Sequence, residues 1–146
     1  MSSSRRGIEF LLLAVIVGLT LATAYIHFWV GGVMLLLNAA GYAALTTAVV
    51  GSAIFFRRAL PLVLIGLAVY AATTIAGWLV MGPYFDVAYV AKGIEIALIV
   101  TISLAIRTMA GETRVSIAWA LSLARSVMGM RRRSAAPVSA SAAGHE

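Results

Sequence analysis

The sequence predicts an all-α protein: a bundle of four transmembrane helices running up-down-up-down, followed by a C-terminal amphipathic helix lying in the membrane interface. Three observations carry this prediction. First, 62% of the 146 residues are hydrophobic and 11% charged, where soluble domains hold roughly 45–50% and about 25%. A chain this short cannot bury so much apolar surface within itself, and its mean hydropathy is +1.02. Second, the apolar residues gather in four runs, each near the roughly 20 residues that cross a hydrocarbon core. Third, the basic residues stand almost wholly at alternate ends of those runs.

Residues 1–7, with Arg5 and Arg6, form a short amino-terminal segment ahead of the first run, residues 8–25. The second run covers 30–56, the third 60–82 and the fourth 87–106. A lone span must satisfy its backbone hydrogen bonds internally, and the alternation of barrel strands is missing, so each run is read as a helix. The links are Ile26 to Trp29, Arg57 to Ala59 and Pro83 to Asp86. Links this short force antiparallel neighbours. Pro61 falls in the first turn of the third helix, where its missing N–H costs nothing, and Gly82-Pro83 ends that helix. Four-residue-spaced small residues, Ala40, Ala44 and Ala48 on the second helix and Gly18 and Ala22 on the first, are expected at helix–helix contacts.

Ten of the eleven basic residues lie at the amino terminus, in the Arg57-Arg58 turn or after Ile106. By the positive-inside rule both termini are cytoplasmic, in a cell (inner) membrane, and the loops holding His27 and Asp86 face out. Tyr25, Phe28, Trp29, Trp78, Tyr84, Phe85 and Tyr89 mark the outer interface. Arg5-Arg6, an apolar stretch and Ala22-Thr23-Ala24 resemble a secretory signal with its cleavage site. The run exceeds the 7–15 residues of such signals and a new span starts at once, so an uncleaved anchor is expected.

Residues 107–130 form a juxtamembrane segment. Within it, Val115–Met130 is too short and too interrupted by Arg125 to span. Arg114, Arg125 and Arg132 fall on one helical face, and Ile117, Trp119, Leu123 and Val127 lie in the remaining arc, the pattern of an interfacial helix. With Arg131 and Arg133, these basic side chains are expected at anionic lipid headgroups. Residues 131–146 are rich in Ala and Ser and read as a disordered cytoplasmic tail.

Two charged residues stand well inside an apolar run: Lys92 roughly 8 Å and Glu95 roughly 12 Å from the start of the fourth helix, at 1.5 Å per residue. Three-residue spacing allows them to pair, and an unpaired carboxylate in lipid is costly. Asn38, Thr73, Thr74, Thr20 and Thr23 reach similar depths on the other three helices, with His27, Tyr25 and Asp86 as a rim. The inner half offers only Thr46, Thr47 and Ser52. The polar groups therefore form a candidate cluster in the outer half, serving either as glue between helices or as a binding site.

The absence of cysteine excludes disulfides and thiolate chemistry. With His27 at the edge and His145 in the tail, an intrachain bis-histidine haem is excluded. No metal spacing, nucleophile–base pair or phosphate loop appears. No cofactor and no enzymatic activity are therefore expected. The isoelectric point of 10.5 implies no nucleic-acid partner, since no recognition fold has room to form.

The motifs His27-Phe-Trp-Val-Gly-Gly, Leu37-Asn38-Ala-Ala-Gly-Tyr42, Arg57-Arg58, Trp78 and Lys92-x-x-Glu95 resemble those of small four-helix membrane proteins of unknown function from actinobacteria, related bacteria and halophilic archaea. The resemblance covers His27 to Ile106 and implies that the polar set acts as a unit, with no activity to carry over. Small multidrug transporters also have four helices and one membrane glutamate, but theirs lies on the first helix. The expectation is a non-enzymatic accessory or ligand-binding component of the membrane. The alternatives are a proton-coupled or small-solute transporter working as a homo-oligomer, and a subunit of a larger respiratory or other membrane complex.

Overall fold

The computed structural model describes residues 3–82, 84 and 86–134, and there the chain is helical apart from its short links. The helices are α1 (Ser3–Val30), α2 (Val33–Phe55), α3 (Leu60–Met81), α4 (Asp86–Thr108) and α5 (Ala110–Ser134). Four of them, α1 to α4, are long and apolar enough to cross a membrane. The chain is thus a multi-pass helical bundle whose surface suits lipid. Phe10, Val33 and Val80 are each more than three-quarters exposed, which only an apolar solvent tolerates on this scale.

α1 packs on α2 and α4, and α3 packs on α2 and α4, so the four helices close a ring of antiparallel neighbours. α5 lies against α3 and α4. The centre is filled by Ile16, Tyr42, Val49, Leu64, Leu67, Leu98 and Ile102, all buried. All four helices contribute, α3 and α4 at the three- and four-residue spacing that the 3.6-residue period requires.

The link between α1 and α2 differs from expectation. Sequence reasoning puts a loop at Ile26 to Trp29, whereas α1 continues as helix through Val30. Nothing in Ile-His-Phe-Trp breaks a helix. The first residues that do are Gly31 and Gly32, at φ +76° and +89°, a backbone region that glycine enters without steric cost. His27 consequently sits on a helical turn and faces inward. At the far end of α2, the Phe56 N–H donates to Ser52 O at 3.1 Å and the Ala59 N–H to Phe56 O at 2.7 Å. Pro61 lies in the first turn of α3, and the Gly82 N–H closes that helix on Trp78 O at 2.8 Å. Pro83 and Phe85 lie outside the described residues.

The small-residue stripe is a second difference. Ala40, Ala44 and Ala48 are exposed, as is Gly18; α2 instead buries Ala39, Tyr42, Thr46, Val49 and Ser52. The ring of four turns α2 toward its neighbours on the tyrosine and threonine side, where hydrogen bonds are available, and leaves the alanines outside. Gly41 does mark a close approach: a Cβ there would run into the Tyr70 hydroxyl.

α5 starts five residues before the Val115 start read from the sequence and runs to Ser134. Its first turns bury Thr113 and Ser116 against the bundle, while Arg114, Ile117, Trp119, Leu123 and Arg125 are exposed. The side chains of Val127, Arg131, Arg132 and Arg133, and the tail beyond Ser134, lie outside the described residues.

Candidate functional site

Glu95 is completely buried in the bundle, on the face of α4 that also carries Ala91, Lys92, Leu98 and Ile102. Its partners come from three helices. Lys92, one turn earlier on α4, donates to Glu95 Oε2 at 2.7 Å, and its Nζ lies 3.4 Å from Thr74 O on α3. The Thr74 hydroxyl donates to the same Oε2 at 3.0 Å, with Ala71 O as a competing acceptor at 2.8 Å. With that proton directed to Glu95, the Tyr42 hydroxyl on α2, 2.9 Å from Thr74 Oγ1, is left to donate to it. The result is a relay Tyr42–Thr74–Glu95 across three helices, with the Thr74 bond strengthened by the carboxylate it reaches.

The other carboxylate oxygen faces α1. Glu95 Oε1 is 3.7 Å from His27 Nε2 and has no hydrogen-bond partner among the described residues. The opposite ring nitrogen of His27, Nδ1, is 2.8 Å from Thr23 O. The His27 ring also packs on Tyr42, with centroids 5.8 Å apart, and Tyr42 meets Tyr70 edge-on at 4.9 Å. Tyr70 in turn donates toward Asn38 Oδ1 at 3.3 Å.

Above this cluster the helices part around a cavity of about 520 Å³, within the range of small-molecule sites, roughly 300–1,000 Å³. His27, Asn38, Tyr70, Thr73, Thr74 and Lys92 make its polar floor and flank. Its walls are apolar: Ile26, Val30, Met34, Leu35, Met81 and Val87. Trp78 lines the cavity as well and stacks edge-on against Tyr84 and Tyr89, at 5.4 Å and 5.2 Å.

Comparison with family models, with curated proteins and with solved structures finds no match for this chain. Its chemistry therefore has to be argued from these residues alone.

Of the polar residues singled out from the sequence, the structure brings Glu95, Lys92, Thr74 and His27 into direct contact. Asn38 and Thr73 line the cavity without touching the carboxylate; Thr73 is exposed and donates to Val69 O at 2.9 Å. Thr20 and Thr23 are fully buried on the inner face of α1. Thr20 spends its hydroxyl on Ile16 O, at 2.6 Å, whereas Thr23 Oγ1 has no hydrogen-bond partner among the described residues. Asp86 is exposed in the first turn of α4, where a carboxylate favours the positive end of the helix dipole. It stands away from the cluster.

Sequence reasoning missed Tyr42 and Tyr70. Their signal was register: Tyr42 lies one turn from Asn38 on α2, and Tyr70 one turn from Thr74 on α3, so each extends a polar stripe. It also passed over Glu9. That carboxylate is buried near the start of α1 and meets Arg57 of the α2–α3 turn, Oε2 to Nη2, at 2.6 Å. A second charged pair thus ties the opposite end of the bundle.

Proposed function

We propose that this protein is a non-enzymatic small-ligand binder of the cell membrane, taking an amphipathic molecule into the cavity at the His27 end of the bundle. The single observation that carries this reading is the way the cavity is built: apolar walls that end on a floor of buried Lys92 and His27 and half-buried Thr74, charged and hydrogen-bonded. Structural glue alone would draw the four helices together around these groups. Here they line open space instead, and polar groups at the base of an apolar pocket fix the orientation of a ligand. The arginine-rich end faces the cytoplasm and the cavity opens on the opposite side of the membrane, as the positive-inside rule requires.

The test is photolabelling with a diazirine-bearing hexadecyl probe in lipid nanodiscs, followed by peptide mapping. Adducts are expected on Met34, Leu35 and Trp78. Gly77 lines the cavity, and a Cβ built on it meets nothing within 4 Å, so Gly77→Phe fills the space without a backbone clash and should remove those adducts. Labelling spread evenly over the lipid-facing surface, unchanged by Gly77→Phe, would refute the reading.

A further inference from the structure

We infer that the cavity takes an amphiphile with an anionic head, and takes it together with one proton held between His27 and Glu95. This deepens the ligand-binding reading above and rests on it.

Thr23 O can only accept, so His27 Nδ1 must carry a hydrogen to make its 2.8 Å bond. A neutral imidazole then presents a bare lone pair on Nε2. That lone pair faces Glu95 Oε1 at 3.7 Å, an oxygen that is fully buried and has no donor among the described residues. Two acceptors facing each other in a buried site repel. One proton on either atom turns the repulsion into a charge-assisted contact.

Charge counting gives the ligand. The groups that face this pair are Thr23 on α1, Tyr42 on α2, Thr74 on α3 and Lys92 on α4, with Tyr70 of α3 packed behind Tyr42. Lys92 is the cation among them and cancels the Glu95 carboxylate. The floor is therefore neutral without the extra proton and carries a single positive charge with it, whichever of the two atoms holds the proton. An uncompensated buried charge is costly. His27 and Lys92 line the cavity, while Glu95 is fully buried behind them and does not. The protonated floor thus shows its positive side to the cavity, and an anionic head placed there supplies the missing compensation. The apolar walls above suit the chain attached to it. Proton and anion then each bind better in the presence of the other, by the same factor.

The test uses the full chain in maltoside micelles and three probes with the same hexadecyl chain: a sulfonate, whose charge is fixed, the neutral alcohol and the trimethylammonium. Calorimetric titration in two buffers of different ionisation enthalpy counts protons. Between about pH 8 and about pH 6, sulfonate binding should tighten by up to about tenfold per pH unit with uptake of about one proton. His27→Asn should flatten that dependence. Glu95→Gln leaves the Lys92 cation uncancelled, so it should bind the sulfonate more tightly than the wild type at the alkaline end, an outcome that misfolding cannot imitate. Sulfonate binding without proton uptake, equal binding of the alcohol, or weaker alkaline binding by Glu95→Gln would overturn the proton-coupled anion site while leaving a ligand cavity in place. If none of the three probes binds, the cavity reading fails, and this inference with it.

Discussion

Removing the Lys92 ammonium, by Lys92→Met, gives the sharpest energetic test of the buried cluster. The Lys92 side chain is 10% exposed and Glu95 not at all, with 2.7 Å between Nζ and Oε2. Met keeps the length and apolar stem of lysine, so packing changes little. Breaking a buried pair by deleting one partner costs about 3–5 kcal/mol, because the other charge stays behind. The expected penalty is therefore about 3–5 kcal/mol near neutrality, and Lys92→Met/Glu95→Gln should recover most of it. The assay is reversible unfolding in mixed detergent micelles, followed by tryptophan fluorescence. A penalty below about 0.5 kcal/mol, or no recovery in the double variant, would refute the reasoning, since neither fits a buried and paired carboxylate.

Three further outcomes follow from other parts of the bundle. Gly41→Ala should cost about 1–3 kcal/mol, as overpacking does, and Tyr70→Phe in the same chain should recover part of it by removing the hydroxyl that the new Cβ meets; thermal unfolding of the two variants beside the wild type checks this. Arg57→Met should destabilise by about 1–3 kcal/mol, between the values for exposed and buried pairs, because the guanidinium is half exposed but Glu9 is buried; added salt should weaken the effect only slightly. A peptide of residues 112–133 should gain helicity with anionic vesicles and lose it in high salt, each arginine adding about 1 kcal/mol near the surface; binding that is indifferent to salt would contradict an interfacial α5.

The four spans and their order were legible because hydrocarbon imposes length and apolarity on any helix that crosses it. The Lys92–Glu95 pairing was legible for the same reason, since a charge in an apolar run needs a partner within reach. That His27 belongs with them was harder to see. Its place depends on α1 running unbroken to Gly31-Gly32, and four residues of helix turn a rim position into an inward one. Tyr42 and Tyr70 were hidden because tyrosine is apolar enough to pass as wall material in a membrane helix. Glu9 was overlooked because its partner Arg57 is 48 residues away in sequence. The alanine stripe misled, since small residues permit a close contact but do not say which neighbour makes it.

Entry of an amphiphile into the cavity, as far as its charged floor, can be read directly by fluorescence. Trp78 lines that cavity, so with Trp29 and Trp119 replaced by phenylalanine it becomes the one tryptophan of a chain that has three, and it can be excited selectively over tyrosine. A hexadecyl sulfonate brominated along its chain should quench Trp78 saturably at about pH 6, the acid end of the binding range. Gly77→Phe should abolish that quenching, and Lys92→Met should weaken it. Quenching that rises linearly with probe, without saturation and unaffected by either substitution, would place the amphiphile in the surrounding micelle and contradict the account.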